Sequence, residues 1–249
     1  MHNTIDVSVL IPAKNEAANL GPLLAEIQAA LSGERYEVIV VDDGSTDGTL
    51  DALTALRQAG FHELRILSHR VSLGQSTSIY HAAHKANGRW LATLDGDGQN
   101  DPADIPGMLA CVRDGDGASS EIKLVAGHRV HRQDTASKRW ASRFANGLRR
   151  RLLRDATPDT GCGIKLIERR AFLALPYFDH MHRFIPALIQ RHGGKMLVHP
   201  VNHRPRGAGT SKYGNLDRAL VGILDLVGVW WLIRRTRLEV TPVEYEGEA

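Results

Sequence analysis

Three times before Pro102 the chain repeats one pattern: a short aliphatic, β-branched run that stops abruptly in a cluster of polar residues. Val7, Val9 and Ile11 alternate with Ser8 and Leu10 and lead into Pro12-Ala13-Lys14-Asn15-Glu16. Tyr36 to Val41 runs into Asp42-Asp43-Gly44-Ser45-Thr46-Asp47, and Trp90 to Leu94 runs into Asp95-Gly96-Asp97-Gly98-Gln99-Asn100-Asp101. Runs of this length and composition read as buried strands, and Leu64 to Leu67 as a shorter one. The stretches between carry helical spacing: Leu20, Leu23, Leu24, Ile27 and Leu31, then Leu50, Leu53 and Leu56, then Gly74 to Ala86 closed by Asn87-Gly88. Asn15 is in position to cap the first of these helices, and Ser45, Thr46 or Asp47 the second. Strands alternating with helices restrict the fold to βαβ units. The expected class is α/β, with a mostly parallel central sheet and flanking helices.

In such a sheet ligands bind beyond the carboxyl ends of the strands. Each polar cluster follows a strand, so one sheet brings all three to one rim. In the third cluster Asp95 and Asp97 share a face, because side chains at i and i+2 of an extended segment point the same way. Gly96 and Gly98 let the backbone turn and approach a ligand. Oxygen-only ligands of this kind suit Mg²⁺ or Mn²⁺ shared with substrate phosphates. Taken alone, the stretch is also an ordinary acidic turn; the convergence of three clusters separates the two readings. Neither G-x-G-x-x-G nor G-x-x-x-x-G-K-[ST] follows a strand, which removes the dinucleotide and P-loop classes.

The 249 residues suffice for one large α/β domain with a short extension, and the net charge is +3. Cys111 and Cys162 are far apart, against a zinc site or disulfide scaffold and in keeping with a reducing compartment. Met1 to Asn15 lacks the pattern of a signal peptide. Leu124 to Ala126 and Met196 to Val201 read as further strands. Between His128 and Arg154 basic residues, among them Arg129 and Arg139, far outnumber the single acid Asp134. This is a solvated helix face, an anion site facing a phosphorylated lipid and an anionic membrane, or a nucleic-acid footprint. The paired histidines His81 and His84, His180 and His182, and His199 and His203 lack a ligand partner in sequence and read as core or surface residues. Arg204 to Tyr213 is a Gly-rich basic loop whose Arg206 and Lys212 suit an anion and whose glycines suit a lid. Leu220 to Ile233 is apolar but holds Asp225 and falls short of the ~20 residues a spanning helix needs. Trp230 and Trp231 followed by Arg234, Arg235 and Arg237 suit either a membrane interface or a buried amphipathic helix. Residues 1–215 then form the catalytic unit and 216–249 a C-terminal extension.

Ile11 to Glu16, Val41 to Thr49 and Asp95 to Gln99 resemble the family 2 glycosyltransferases of GT-A (Rossmann-like) fold. Gly127-His128-Arg129, Asp159 to Lys165, Arg183-Phe184 and Arg206 to Gly214 resemble their dolichol-phosphate mannosyltransferase-like, polyprenyl-phosphate branch. The resemblance spans roughly Ile5 to Trp231. It implies an inverting, metal-dependent transfer of a hexose from a GDP- or UDP-sugar to a polyprenyl phosphate. Asp95, Asp97 and Gln99 would hold Mg²⁺ or Mn²⁺. Pro12, Lys14, Glu16, Val41, Asp43, Asp95 and Gly96 would line the nucleotide-sugar site. Arg129, Arg139 and Ser142 would take the acceptor phosphate, with Arg206 and Lys212 beside the reaction and Asp101 and Asp159 in reserve. Lys14 departs from the family, which often has an aromatic residue there. The implied setting is the cytoplasmic face of a membrane, with peripheral contact, a separate membrane subunit as a further partner, and no nucleic acid. The alternatives are a family 2 enzyme acting on a glycan hydroxyl, which needs a carboxylate base, and a non-catalytic basic membrane- or nucleic-acid-binding protein.

Overall fold

The computed structural model describes residues 5–113, 121–130, 147, 149–155, 157–205 and 215–235, the side chains of 215–220 excepted. Seven strands form one sheet: β1 (Val7–Ala13), β2 (Tyr36–Asp43), β3 (Leu64–His69), β4 (Trp90–Thr93), β5 (Ile122–Arg129), β6 (Lys165–Glu168) and β7 (Lys195–Val201). Their order is β3-β2-β1-β4-β6-β5-β7. Around it lie α1 (Ala17–Ala30), α2 (Thr49–Gln58), α3 (Gln75–Lys85), α4 (Asp104–Arg113), α5 (Arg169–Leu173), α6 (Ile185–Arg191) and α7 (Asn215–Arg235).

The period-2 pattern of the first strands decides which helix covers which face. Val7, Val9, Ile11, Val38 and Val40 pack with Leu20 and Leu24 of α1, Leu53 of α2, and Ile105 and Leu109 of α4. Leu10, Ile39 and Val41 point the other way, onto Ile79 and Ala82 of α3, Phe172 of α5, Leu188 of α6, and Leu226 and Val229 of α7. Each fully buried Leu or Ile contributes about 1.5–3 kcal/mol. A polar residue on either face therefore has to find a partner.

All strands run the same way except β6, which is antiparallel to both β4 and β5. The reversal places the amino end of β6, not its carboxyl end, at the rim where the polar clusters lie. Sequence periodicity did not reveal β6, because Lys165 and Glu168 bracket only two aliphatic residues.

Two expected caps differ. Asn15 lies in the left-handed region (φ 57°) and does not cap α1, whose N-cap is Glu16 with no side-chain bond. The Asn15 amide reaches across to the next loop instead. At α2 the N-cap is Gly48, and Asp47 just before it accepts from the Thr49 N–H (3.0 Å).

Glu37, near the start of β2, is 3% exposed. Its Oε1 accepts from Ser8 Oγ (2.7 Å) and from the Asn87 N–H (2.6 Å), and its Oε2 pairs with Arg65. It thus ties β1, β2, β3 and the α3–β4 turn at the end of the sheet away from the site. Gly88 is required there by closeness, since a Cβ would stand 2.6 Å from Ser8 N. Burial resists ionisation of Glu37, but the Asn87, Ser8 and Arg65 hydrogen bonds outweigh it and hold its pKa below the usual glutamate range. A depressed carboxylate stabilises the fold above its unfolded pKa, and that stability is lost as pH falls through the folded value. Glu37→Gln turns an NH₂ toward donors. It is expected to cost about 2–3 kcal/mol, or roughly 5–10 °C in Tm at neutral pH. The gap from the parent chain should narrow below about pH 4; calorimetric scans at both pH values check this.

Candidate active site

The loops after β1 and β2 are laced together. The Asn15 N–H donates to Ser45 Oγ (2.9 Å), the Thr46 N–H donates to Asn15 Oδ1 (2.8 Å), and the Glu16 N–H donates to Thr49 Oγ1 (3.0 Å). Beside them Asp43 is buried at the end of β2. Its Oδ1 accepts from His69 Nδ1 (2.8 Å) and the Leu73 N–H (2.7 Å), and its Oδ2 from Ser72 Oγ (2.7 Å) and the Gly74 N–H (2.9 Å). Burial opposes the charge, yet these four donors keep the carboxyl acidic, below the usual range. Asp43 therefore clamps the β3–α3 loop against the end of β2. Gly44 (φ 64°) makes that approach possible, because a Cβ would stand 2.8 Å from Ser72 N.

The β4–α4 loop follows next to β1. Gly96 lies against it, so a Cβ there would stand 3.2 Å from the Pro12 carbonyl. Asp95 is held from three sides. Its N–H donates to Asn100 Oδ1 (3.1 Å), its Oδ1 accepts from Gln75 Nε2 (2.8 Å), and its Oδ2 faces the Gly163 backbone. A Cβ on Gly163 would come within 2.1 Å of that oxygen. Asp97 accepts the Gln99 N–H (3.1 Å). Burial, and then the charge of Asp97, push the Asp95 carboxyl above its ordinary range. Two carboxylates forced together in this way cost free energy that a cation relieves. Among the described residues no third His, Cys, Asp or Glu joins them. A hard cation held by Asp95, Asp97 and the Gln99 amide would thus complete its shell with substrate oxygens or water, as Mg²⁺ and Mn²⁺ commonly do.

The reversed β6 supplies the other wall. Thr93 Oγ1 donates to the Gly163 carbonyl (2.7 Å), fastening β4 to the turn before β6. Lys165, only 4% exposed, donates through Nζ to the Cys162 carbonyl. Arg129, ending β5, grips Asp159 with two bonds, Nε to Oδ2 (2.6 Å) and Nη2 to Oδ1 (2.7 Å). Between these elements lies a cavity of about 260 Å³, lined among others by Gln75, Thr93, Asp95, Lys165, His182 and Arg183. His182 Nδ1 stands 2.7 Å from Ser76 Oγ. Burial, then Lys165, Arg183 and His180, push its pKa down to about 3, so its ring is neutral at neutral pH.

Pro12, Glu16, Val41, Asp43, Asp95, Gly96, Asp97 and Gln99 therefore share one rim, with Lys14 exposed at its edge and Arg129 one strand beyond β6. Arg139, Ser142, Arg206 and Lys212 lie outside the described residues. Arg204, at the start of the basic loop, is paired with Glu26 of α1 (2.7 Å). Sequence reasoning missed Gln75, Asn100, Lys165 and His182. Gln75 carried one weak signal, its place as the first helical residue after Gly74. The sequence alone groups His182 with surface and core histidines, whereas the structure lines the cavity with it.

The profile described as Glycosyl transferase family 2 matches residues 8–175. The dodecaprenyl-phosphate galacturonate synthase of Rhizobium johnstonii is 35% identical over 243 residues, covering 93% of this chain and 68% of that protein. This chain belongs to glycosyl transferase family 2. An undecaprenyl-phosphate 4-deoxy-4-formamido-L-arabinose transferase from Enterobacter sp. is 34% identical, covering 89% of this chain and 66% of its own length. The chain thus spans about two thirds of these relatives. Solved structures share this fold. The mannosyl-3-phosphoglycerate synthase of Rubrobacter xylanophilus superposes with TM-score 0.70 at 17% identity, over 96% of this chain and 79% of that one. A Pyrobaculum calidifontis mannosyltransferase in complex with GDP-Man and Mn²⁺ gives 0.68 at 19% identity, over 95% and 66%. The architecture is the GT-A fold of a glycosyltransferase.

Because ionised Asp95 is held at a cost, Asp95→Asn should stabilise the metal-free protein while weakening cation binding. The raised pKa means the penalty sets in as pH rises above the unfolded value of ~3.9. The variant is expected to melt roughly 2–4 °C higher at pH 7 without metal, the shift ~1 kcal/mol produces in a chain of this size. Millimolar Mn²⁺ should raise the Tm of the parent chain and not that of the variant.

Proposed function

We propose that this glycosyltransferase moves one sugar from a nucleotide diphosphate sugar to the phosphate of a polyprenyl phosphate, inverting the anomeric carbon and using Mg²⁺ or Mn²⁺. The observation that carries the reading is the pair Asp95 and Asp97 beside a cavity of sugar size, with Arg129 on the neighbouring strand end. The activities of both relatives add the lipid phosphate.

In this reading the nucleoside lies over the laced loops, against Pro12, Lys14, Glu16, Val41 and the Asp43 clamp. A divalent cation on Asp95, Asp97 and Gln99 supplies charge neutralisation for the leaving diphosphate. Gln75 and Gly163 hold Asp95 in register for it. An acceptor phosphate oxygen forms the new bond to the anomeric carbon from the face opposite the diphosphate. The old carbon–oxygen bond breaks, and its electron pair leaves with the nucleoside diphosphate. The attacking oxygen is already anionic at neutral pH, so no general base is needed. Arg129 orients the acceptor phosphate, joined by Arg139, Ser142, Arg206 and Lys212.

The C-terminal helix supports a membrane setting. Among the described residues no helix is long and apolar enough to cross a membrane. Ile223, Leu224, Val227 and Trp231 of α7 are nevertheless exposed along one side, followed by Arg234 and Arg235. An apolar stripe ending in Trp and Arg suits the headgroup boundary. The reading therefore has residues 1–215 as the catalytic unit and 216–249 as a membrane-facing extension, peripheral on the cytoplasmic face. A separate membrane subunit is its further partner.

The test is transfer of radiolabel from a panel of UDP- and GDP-sugars to detergent-solubilised undecaprenyl phosphate, with Mn²⁺ or with chelator. Label should reach the lipid only with metal, and Asp97→Ala should lower the rate roughly 100-fold or more, the loss of ~3 kcal/mol of charge stabilisation. Undiminished transfer in chelator would sink the metal assignment, and label released without lipid product would sink the acceptor.

A further inference from the structure

The relatives named above differ in the sugar they carry. The cavity holds a chemical clue of its own. Several buried or half-buried arginines of the described structure sit in carboxylate pairs, among them Arg65 with Glu37, Arg129 with Asp159, Arg149 with Asp155 and Arg204 with Glu26. The two cations that line the cavity, Lys165 and Arg183, make no ion pair with any described residue. Lys165 is buried in β6 with a backbone carbonyl as its bonded partner. Burial pulls its pKa down, and Cys162, Asp95 and Asp159 pull it back up. A lysine held this way in a wall, without a carboxylate of its own, suits an anion that arrives with the ligand.

The cavity's position narrows that anion. Its lining comes from β4, the turn before β6, the start of α3 and the segment 182–185. It includes neither Asp97 nor any residue of the laced nucleoside-side loops. A donor whose nucleoside rests on those loops and whose diphosphate meets Asp97 extends its sugar across β4 into this space. At about 260 Å³ the cavity matches one monosaccharide better than a whole nucleotide sugar, since drug-sized sites run ~300–1,000 Å³. The one carboxylate in the lining, Asp95, is occupied by Gln75 and by the cation it is suited to share. His182 adds a neutral ring to the lining.

We propose that this cavity holds the transferred sugar and that Lys165 and Arg183 select one bearing a carboxylate, a hexuronate, over the neutral hexose of the same stereochemistry. The proposal rests on the nucleotide-sugar reading above, and Lys165 and Arg183 act in it as specificity-determining residues.

Donor binding without acceptor tests it separately from lipid transfer. Calorimetric titrations in Mn²⁺ would compare three twin pairs: UDP-galacturonate with UDP-galactose, UDP-glucuronate with UDP-glucose, and GDP-mannuronate with GDP-mannose. One uronate is expected to bind at least ~10-fold tighter than its twin. Arg183→Gln, at a half-buried position, should weaken that uronate roughly 10- to 100-fold, the range for a hydrogen bond to a charged group, and weaken the neutral twin far less. Arg183→Lys should restore part of the loss. Equal or tighter binding of the neutral twins, or no binding by any pair, overturns the proposal. Equal weakening of both twins in Arg183→Gln also overturns it, by assigning the guanidinium to the diphosphate. A uronate preference with no label reaching undecaprenyl phosphate would leave this inference standing and remove the acceptor reading. Label transferred only from neutral sugars would do the reverse.

Discussion

A sheet buried on both faces has only its rim on which to present chemistry, and everything functional here follows from that constraint. Val9 and Leu10, adjacent in β1, serve opposite helical layers. Polar side chains can then gather only where strands end. The chain uses that edge twice over, once through strands that finish there and once through β6, which begins there. The reversal of β6 is what brings Gly163 against Asp95 and Lys165 under Thr93, closing a cavity where a purely parallel sheet would leave an open slot.

Crowding at this edge is controlled by glycine and by donors rather than by cations. Gly44, Gly96 and Gly163 stand where a Cβ would meet backbone or a carboxylate. Asp43 is satisfied by a ring of donors from the end of β3 and the β3–α3 loop. Asp95 has one side-chain donor, Gln75, and the repulsion of Asp97. The two acids look alike in sequence yet differ in purpose. One is satisfied by the protein and shapes a loop; the other is left wanting a positive partner.

Much of this was legible in advance, for a physical reason. Strands β1, β2 and β4 are continuous apolar runs with abrupt polar ends, so both their existence and their convergence could be read from periodicity and the parallel-sheet rule. The acidic pair followed from i and i+2 geometry. What escaped notice had no local signature. Strand β6 is too short to alternate, and Lys165 looks like a surface residue until the fold inserts it between β4 and β5. Gln75 acts only because α3 starts beneath Asp95. The Asn15 side chain follows cap chemistry on paper, but the left-handed backbone at that residue turns it toward Thr46. In each case the deciding neighbour is far away in the chain, at separations such as 20 residues for Gln75 and Asp95.

The attachment of α7 has a mechanical consequence. Asp225, the acid that interrupts its apolar run, stands 3.0 Å from His180 Nδ1, and Arg191 Nε donates to the Ile233 carbonyl (2.6 Å). Both grips fasten the helix to the short stretch that carries His182 and Arg183 and to the end of α6 behind it. The C-terminal helix and one wall of the cavity therefore share their fastenings. Displacing α7 would strain the His180–Asp225 contact, two residues from His182 in the cavity lining.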